Sequence, residues 1–312
     1  MPPRKKKVVP QQDGTAPAYD PNPSIHLPYI ASLFQSIQRA RVGLELSLQT
    51  RENFVDPSAM DIHEELVNLE KSTVRYLKQE CSKASIYPWL VAQRGISDRV
   101  SGMLIGLIDI RKAPTVSSLW RYAGQAVVYM CPAKDCATET FTVTVTSRDG
   151  EKKQVQKSNK VPTVVFSREA MDAHLAVCVA AQAIIAEGVK KGEPVIIEGK
   201  AERRVKGMRL HYNMALKKTC YLAGRQFIRH ENPVYEPVYR EARAWYDQNR
   251  PTWSDGRRHN SARRKMVKLF LSHMWTVWRE LEHLPVRLPY AQTLSGHEQG
   301  YIPPPVMPAG KK

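Results

Sequence analysis

The sequence predicts a mostly α-helical fold carrying a small β insertion. Apolar residues recur at steps of three or four from Leu33 to Tyr76, which is the helical period. Between Phe141 and Val145 they alternate with threonines instead, and helical spacing returns after Ser167. With 312 residues, 42% hydrophobic and 25% charged, the chain can bury the core of one large or two ordinary domains. That composition excludes a collagen-like, wholly disordered or disulfide-scaffold chain.

Six segments follow in order. Residues 1–28 are basic at the start, rich in Pro and almost free of apolar periodicity, so they read as a disordered arm. Residues 29–84 form an antiparallel helical arm: Leu33, Ile37, Ala40, Leu44 and Leu48 line one helix. After a break around Asp56 and Pro57, Ile62, Leu66, Leu69 and Tyr76 line the second. In 85–125 a short apolar stretch, Tyr87 to Val91, leads to a turn at Gly95, a helix over Val100–Ile110 and a short helix over Ser117–Ala123. Residues 126–187 are the β insertion, with turn chemistry at Arg148-Asp149-Gly150, closed by a helix from Ser167 to Glu187. Residues 188–285 hold a basic loop, Gly188–Gly207, and helices over Asn213–His230 and Ser261–Glu282. The final stretch, 286–312, reads as a loosely held Pro-rich tail.

No apolar run approaches the roughly 18–20 residues of a membrane span. The N-terminal MPPRKKKVVPQQDG has charge without the apolar stretch of a signal peptide. The expectation is a cytoplasmic, nucleoid-associated protein with no membrane partner. Cys81, Cys131, Cys136, Cys178 and Cys220 are an odd, scattered set, which fits thiols or metal ligands in a reducing compartment.

Charge is the most informative quantity. The net charge of +17 is concentrated in Arg4–Lys7, in Lys190–Arg229 with eleven basic and three acidic residues, and in Arg257–Lys268 with six basic and none acidic. Clustered cations suit a polyanion, because each one that neutralises a phosphate releases condensed counterions. Nucleic acid is the leading partner, against the plainer reading of solvated basic faces.

Gly95-Ile96-Ser97 sits between two apolar helical stretches and has the layout of a helix-hairpin-helix, whose Gly turn aims backbone N–H groups at a phosphate. A helix corner with Gly as C-cap is the other reading. Candidate nucleic-acid contacts are therefore Gly95, Ile96 and Ser97, the loop residues Lys200, Arg203, Arg204, Lys206 and Arg209, and Arg257, Arg258, Arg263 and Arg264.

Cys131 and Cys136 are separated by four residues, and His174 and Cys178 by three. Two thiols on a strand and turn, then His and Cys one helical turn apart, match a structural zinc site that stapled the β insertion, with Phe166 and Met171 as its small core. The gap of 37 residues between Cys136 and His174 exceeds the roughly 12 of short fingers. Buried thiols without metal are the alternative. The last helix, with Met266, Phe270, Leu271, Met274, Trp275, Val277, Trp278 and Leu281, belongs to the main core or a subunit interface. His259, His273, His283 and His297 have no ligand spacing and read as incidental.

In combination, RGISDRVSGMLIGLIDIRKAPTVSSLWRYAG resembles the C-terminal transposase domain of the bridge-RNA-guided insertion-sequence transposases of the IS-one-ten type. Gly95-Ile96-Ser97, Ile108-Asp109 and Tyr122-Ala123-Gly124 fall in that family's order, and EGKAERRVKGMRLHYNMALKKTCYLAGRQFI is similar to its basic Gly loop and following helix. The resemblance covers about 30–125 and 195–285, with Ala262 to Glu280 similar to the closing helix. It implies a protein of a mobile genetic element that binds DNA during transposition and recombination, with a guide RNA as a further partner.

Two departures bear on chemistry. The family begins with an acidic RuvC-like domain, where this chain has a polar arm, and its nucleophilic serine is replaced by Glu198 before Gly199. A carboxylate is a poor phosphodiester nucleophile. No catalytic residue is assigned; Tyr212 is the remaining candidate nucleophile, more readily read as part of a binding surface. The expected function is a DNA-binding protein without its own catalytic centre. A transposase or recombinase working with a partner nuclease, and a structural protein that oligomerises through the helical arm, are the alternatives.

Overall fold

The computed structural model describes residues 26–50, 57–146, 152–193, 195–204, 210–286 and 302–306. Within them the chain is mostly helical with small sheets, as the sequence predicts. Helices α1 (Leu27–Gln49) and α2 (Pro57–Cys81) form the arm, tied together where Arg41 meets Glu70 at 2.5 Å. Pro28 opens α1, where its missing N–H costs nothing. The base of the arm is buried through Leu27, Ala31, Phe34 and Leu77, while Leu46, Met60, Ile62 and Leu69 farther out are half exposed.

Helices α3 (Tyr87–Ala92), α4 (Asp98–Leu107) and α5 (Val116–Tyr122) follow, with a single 3-10 turn at Ile110–Lys112. Thr115 and Ser118 close a reciprocal capping box on α5. The chain then leaves the helical body for a β unit. Strand β1 (Val127–Met130) lies between β4 (Val164–Val165) and β5 (Lys200–Ala201), both antiparallel to it. Between β1 and β4, strands β2 (Ala137–Thr146) and β3 (Lys152–Val161) form a separate two-stranded ribbon paired from Ala137↔Val161 to Thr146↔Lys152. The Arg148-Asp149-Gly150 turn lies outside the described residues.

The helix expected over Ser167–Glu187 is two: α6 (Arg168–Val177) and α7 (Val179–Lys190), bent by 93° at Cys178. Strand β5 interrupts what reads in sequence as one continuous basic loop. The chain re-enters the body with α8 (Met214–Arg229), α9 (Tyr235–Asn249) and α10 (Asp255–Leu281). Asn213 and Ser254 cap α8 and α10 by accepting from Leu216 N and Arg257 N.

The body's core is one aromatic-rich cluster. Phe227, Tyr235 and Phe270 pack mutually with ring centroids 4.7–5.4 Å apart, and Trp89 and Trp275 are fully buried beside them. Trp275 Nε1–H donates to Ala113 O at 2.8 Å, and the buried Arg279 donates to Ile110 O and Ala113 O. The tail is held rather than loose over 302–306: Trp89 Nε1–H donates to Pro305 O at 2.8 Å, and His273 Nε2 bonds Ile302 O at 2.7 Å. His273 is thus a core residue, its Nδ1 meeting Tyr235 OH at 3.2 Å, and burial lowers its pKa. His297 lies outside the described residues. No single helix among the described residues is long and apolar enough to cross a membrane.

Candidate metal centre and basic cleft

The apolar core of the β unit is small: one buried cluster consists of Cys131, Ala133, Cys178 and Ala181, with Cys136 and Leu175 against them, and Val128, Val161 and Met171 are buried as well. Cys131 follows β1, Cys136 precedes β2, His174 lies on α6 and Cys178 stands at the α6–α7 break. Their ligand atoms all lie within 4.8 Å of one another. Cys131 Sγ is 4.0 Å from Cys178 Sγ, and Cys136 Sγ is 3.7 Å from His174 Nε2. Three thiols and an imidazole so placed could hold a metal ion. Thr163 orients the site from the link between β3 and β4: its N–H donates to Cys136 Sγ at 3.2 Å, and its carbonyl accepts from Cys131 N at 2.9 Å. Met171 is fully buried below the centre. Phe166 instead faces the joint with the body, under the Arg121 guanidinium at 3.9 Å and edge-on to His211.

Next to this unit a cleft of about 1080 Å³ opens between the 195–203 segment, α8 and α10. Gly199 makes its wall possible, because an added Cβ would lie 2.3 Å from Val127 Cγ1. Of the sequence candidates, Lys200, Arg203, Arg257, Arg263 and Arg264 all line the cleft, and Lys217 joins them. Arg204 is exposed just beyond Arg203, while Lys206 and Arg209 lie outside the described residues.

Arg257 lies 3.7 Å over Trp253 and pairs with Glu198 at 2.6 Å. Arg263 lies 3.9 Å over Tyr221. Burial lowers the pKa of Arg263 and Arg264, and of Lys217, on which Arg264 and Arg203 press further. One turn below Arg264, Lys268 is stacked 3.9 Å over Trp120. Burial, and then Arg264, push its ammonium down to about 8. Among the described residues no carboxylate lies within ion-pairing distance of Lys200, Arg203, Lys217, Arg263, Arg264 or Lys268. Lys217, Arg263, Arg264 and Lys268 are largely desolvated, whereas Lys200 and Arg203 are exposed, and the buried Glu202 on the cleft wall acts on Lys217 as a counter-charge from beyond ion-pairing distance.

Arg258 is placed elsewhere. It turns to the other side of α10 and pairs with Asp247 at 2.9 Å and Asp255 at 3.7 Å, so its charge is already neutralised. The Gly95 turn is also a corner of the body. Gly95 has φ +100°, and a Cβ there would meet Gln226 O of α8 at 2.9 Å, while Ile96 is buried. Ser97 caps α4 by accepting from Val100 N, and Asp98 stands at the helix start, held by Tyr87 OH at 2.6 Å and Lys78 at 2.8 Å. That helix end carries its own negative charge. It also packs on the far end of α8, about 14 Å along the axis from Lys217 at ~1.5 Å per residue.

Tyr212 rings the Lys217 ammonium at 4.0 Å, and burial followed by the Glu202 charge raises its pKa. Glu202 itself is buried and accepts from His211 at both the backbone N–H and Nδ1. Sequence reasoning singled out neither Trp253 and Tyr221 nor Lys217 and Lys268. Tyr221, Lys217 and Lys268 carried the one signal of membership of the basic clusters, and Trp253 carried none; the stacking and burial appear only in three dimensions.

No family model matches the chain, and no curated protein or solved structure is detectably similar to it.

Proposed function

We propose that this chain is a nucleic-acid-binding protein that holds a DNA backbone in the basic cleft, with a zinc-stapled β unit as one wall and no catalytic centre of its own. The observation that carries this reading is the set of six cations, Lys200, Arg203, Lys217, Arg257, Arg263 and Arg264, on one cleft against two lining carboxylates, Glu198 paired with Arg257 and Glu202 paired with His211. A phosphate run supplies the missing counter-charge, and Trp253 and Tyr221 fix two guanidinium planes for it. The Gly95 turn is left out of the contact surface because its helix end already carries Asp98.

Zinc fits the ligand cluster. At Zn–S of about 2.3 Å and Zn–N of about 2.0 Å, tetrahedral sulfurs stand roughly 3.8 Å apart and a sulfur and nitrogen roughly 3.5 Å. The Cys131–Cys178 and Cys136–His174 separations of 4.0 and 3.7 Å lie close to these values. With four protein ligands the ion would be structural, keeping the β unit folded and the 195–203 segment in place.

The resemblance to a transposase C-terminal domain supports a DNA partner in a mobile-element setting, since the stretches that carry it build the helical body and the basic cleft. Against catalysis stand Glu198, held by Arg257, and Tyr212, whose raised pKa is the opposite of nucleophile activation. The half-exposed Leu46, Met60, Ile62 and Leu69 on the arm support self-association as an accompanying property.

The test is a titration of duplex DNA over a salt series. Arg203→Ala, Arg263→Ala and Arg264→Ala together are expected to flatten the slope of log K against log[salt] by about 2.7, at roughly 0.9 per phosphate contact. Arg258→Ala, which removes a paired charge, leaves it unchanged. Equal slopes for the triple variant and wild type overturn the cleft assignment.

A further inference from the structure

We propose that the β2–β3 ribbon is a groove-reading element that enters the major groove of B-form DNA bound on the cleft; this rests on the DNA-binding reading above. The ribbon is longer than the fold requires. The metal centre needs the chain to return only as far as the Ala137↔Val161 pair, beside Cys136 and Thr163. From there the strands continue to Thr146↔Lys152, pairing with each other and with no other strand. That extension buries no core: Phe141 is 39% and Val155 41% exposed. An isolated two-stranded hairpin is marginal in water, so the length answers to something outside the chain.

The side chains say what. Strand period and register put Thr138, Thr140, Thr142 and Thr144 on one face, opposite Lys160, Ser158, Gln156 and Gln154. All of these are exposed. The face offers only hydroxyls, amides and an ammonium, with no carboxylate and no apolar residue. Hydroxyls pair with any base edge, and glutamine with adenine, in a major groove about 12 Å wide that admits a two-stranded ribbon. At ~3.3 Å per residue, ten-residue strands span about 33 Å, close to one duplex turn of ~34 Å. The two strands carry Lys152, Lys153, Lys157 and Lys160 against Glu139, the balance a phosphate-walled groove favours. The chain leading into the ribbon lines the cleft at Met130, Cys131 and Pro132, a few residues ahead of β2. Duplex RNA is the poorer match, because its major groove is too deep and narrow to be read.

The experiment uses the full chain and two sets of substitutions, Thr140→Ala/Thr142→Ala/Gln156→Ala and Lys157→Gln/Lys160→Gln, with 30-bp duplexes of DNA and of RNA as probes. Metal content and far-UV spectrum serve as folding checks, and Gln156→Ala alone carries the same test should the triple set fail them. The polar set is expected to weaken DNA binding about tenfold or more at an unchanged salt slope, and to abolish interference by guanine N7 methylation. The lysine set flattens the slope by up to about 1.8. Affinity for the RNA duplex stays at the wild-type level in the polar set. Wild-type DNA affinity in the polar set, or an equal loss on RNA, overturns the ribbon proposal while leaving the cleft intact. A wild-type chain that binds no duplex overturns both.

Discussion

Lys268, one turn from the cleft residue Arg264, offers the sharpest test of buried charge beside the cleft, because the fold keeps a cation where burial disfavours it. Its depression from an ordinary 10.5 to about 8 corresponds to about 3 kcal/mol borne by the folded chain. Stacking on Trp120 offsets part of that cost. Lys268→Met keeps the apolar stem over the indole and removes the charge, so the variant is expected to be more stable by up to about 3 kcal/mol at pH 7. The sign with pH follows from proton counting. Below about pH 8 the lysine is charged in both states and the full cost is present. Between about 8 and 10.4 the unfolded chain binds more protons, so the cost is relieved as pH rises. Cys81 and Cys220, pushed up to about 12 by burial, act the other way in alkali, and the difference between wild type and variant cancels them. Urea unfolding at pH 7, 8.5 and 10 measures that difference, and a salt-series titration shows whether DNA binding weakens alongside. A variant no more stable than wild type at pH 7, or a gap that does not narrow toward pH 10, refutes the reasoning.

Three other outcomes are expected. Elemental analysis should find about one metal ion per chain, lost in His174→Ala and Cys136→Ser; the body's helical signal survives, because its core and the ligand cluster are separate. Gly95→Ala should destabilise the chain by about 2–3 kcal/mol in urea, from strain at φ +100° and the 2.9 Å approach to Gln226 O. For His273 the folded pKa is depressed, so its contribution is intact above the unfolded value of about 6.5 and is lost as pH falls below it. Melting temperature should therefore drop from pH 7.5 to 5 in wild type, and less steeply in His273→Gln.

The helical arm and α4 were legible because their apolar residues recur on one face, and the Cys/His cluster because those residue types are few and their spacing stands out. Helix α9 was not: only Tyr235, Glu236 and Ala242 are buried on it, too few to make a stripe. The start of α10 was hidden for a similar reason, since DGRRHN has no apolar residue and is recruited to the helix by the Ser254 cap. Arg258 and Arg264 are indistinguishable as letters in one basic run, yet Asp247 of α9 and Asp255 at the start of α10 neutralise the first, and neither reaches the second. The hold of residues 302–306 on Trp89 and His273 was not legible because it uses backbone carbonyls, which any residue type can offer.

The break at Cys178 sits in the run LAVCVAAQ, which contains neither proline nor glycine and has no local reason to leave the helical conformation. Its ψ of 92° instead places the sulfur beside partners just after β1, ahead of β2 and on α6. The direction in which α7 departs thus goes with the position of the Cys131, Cys136, His174 and Cys178 cluster. Four side chains spread from Cys131 to Cys178 aim an otherwise ordinary helix, and with it the exposed Val179, Ile184 and Val189.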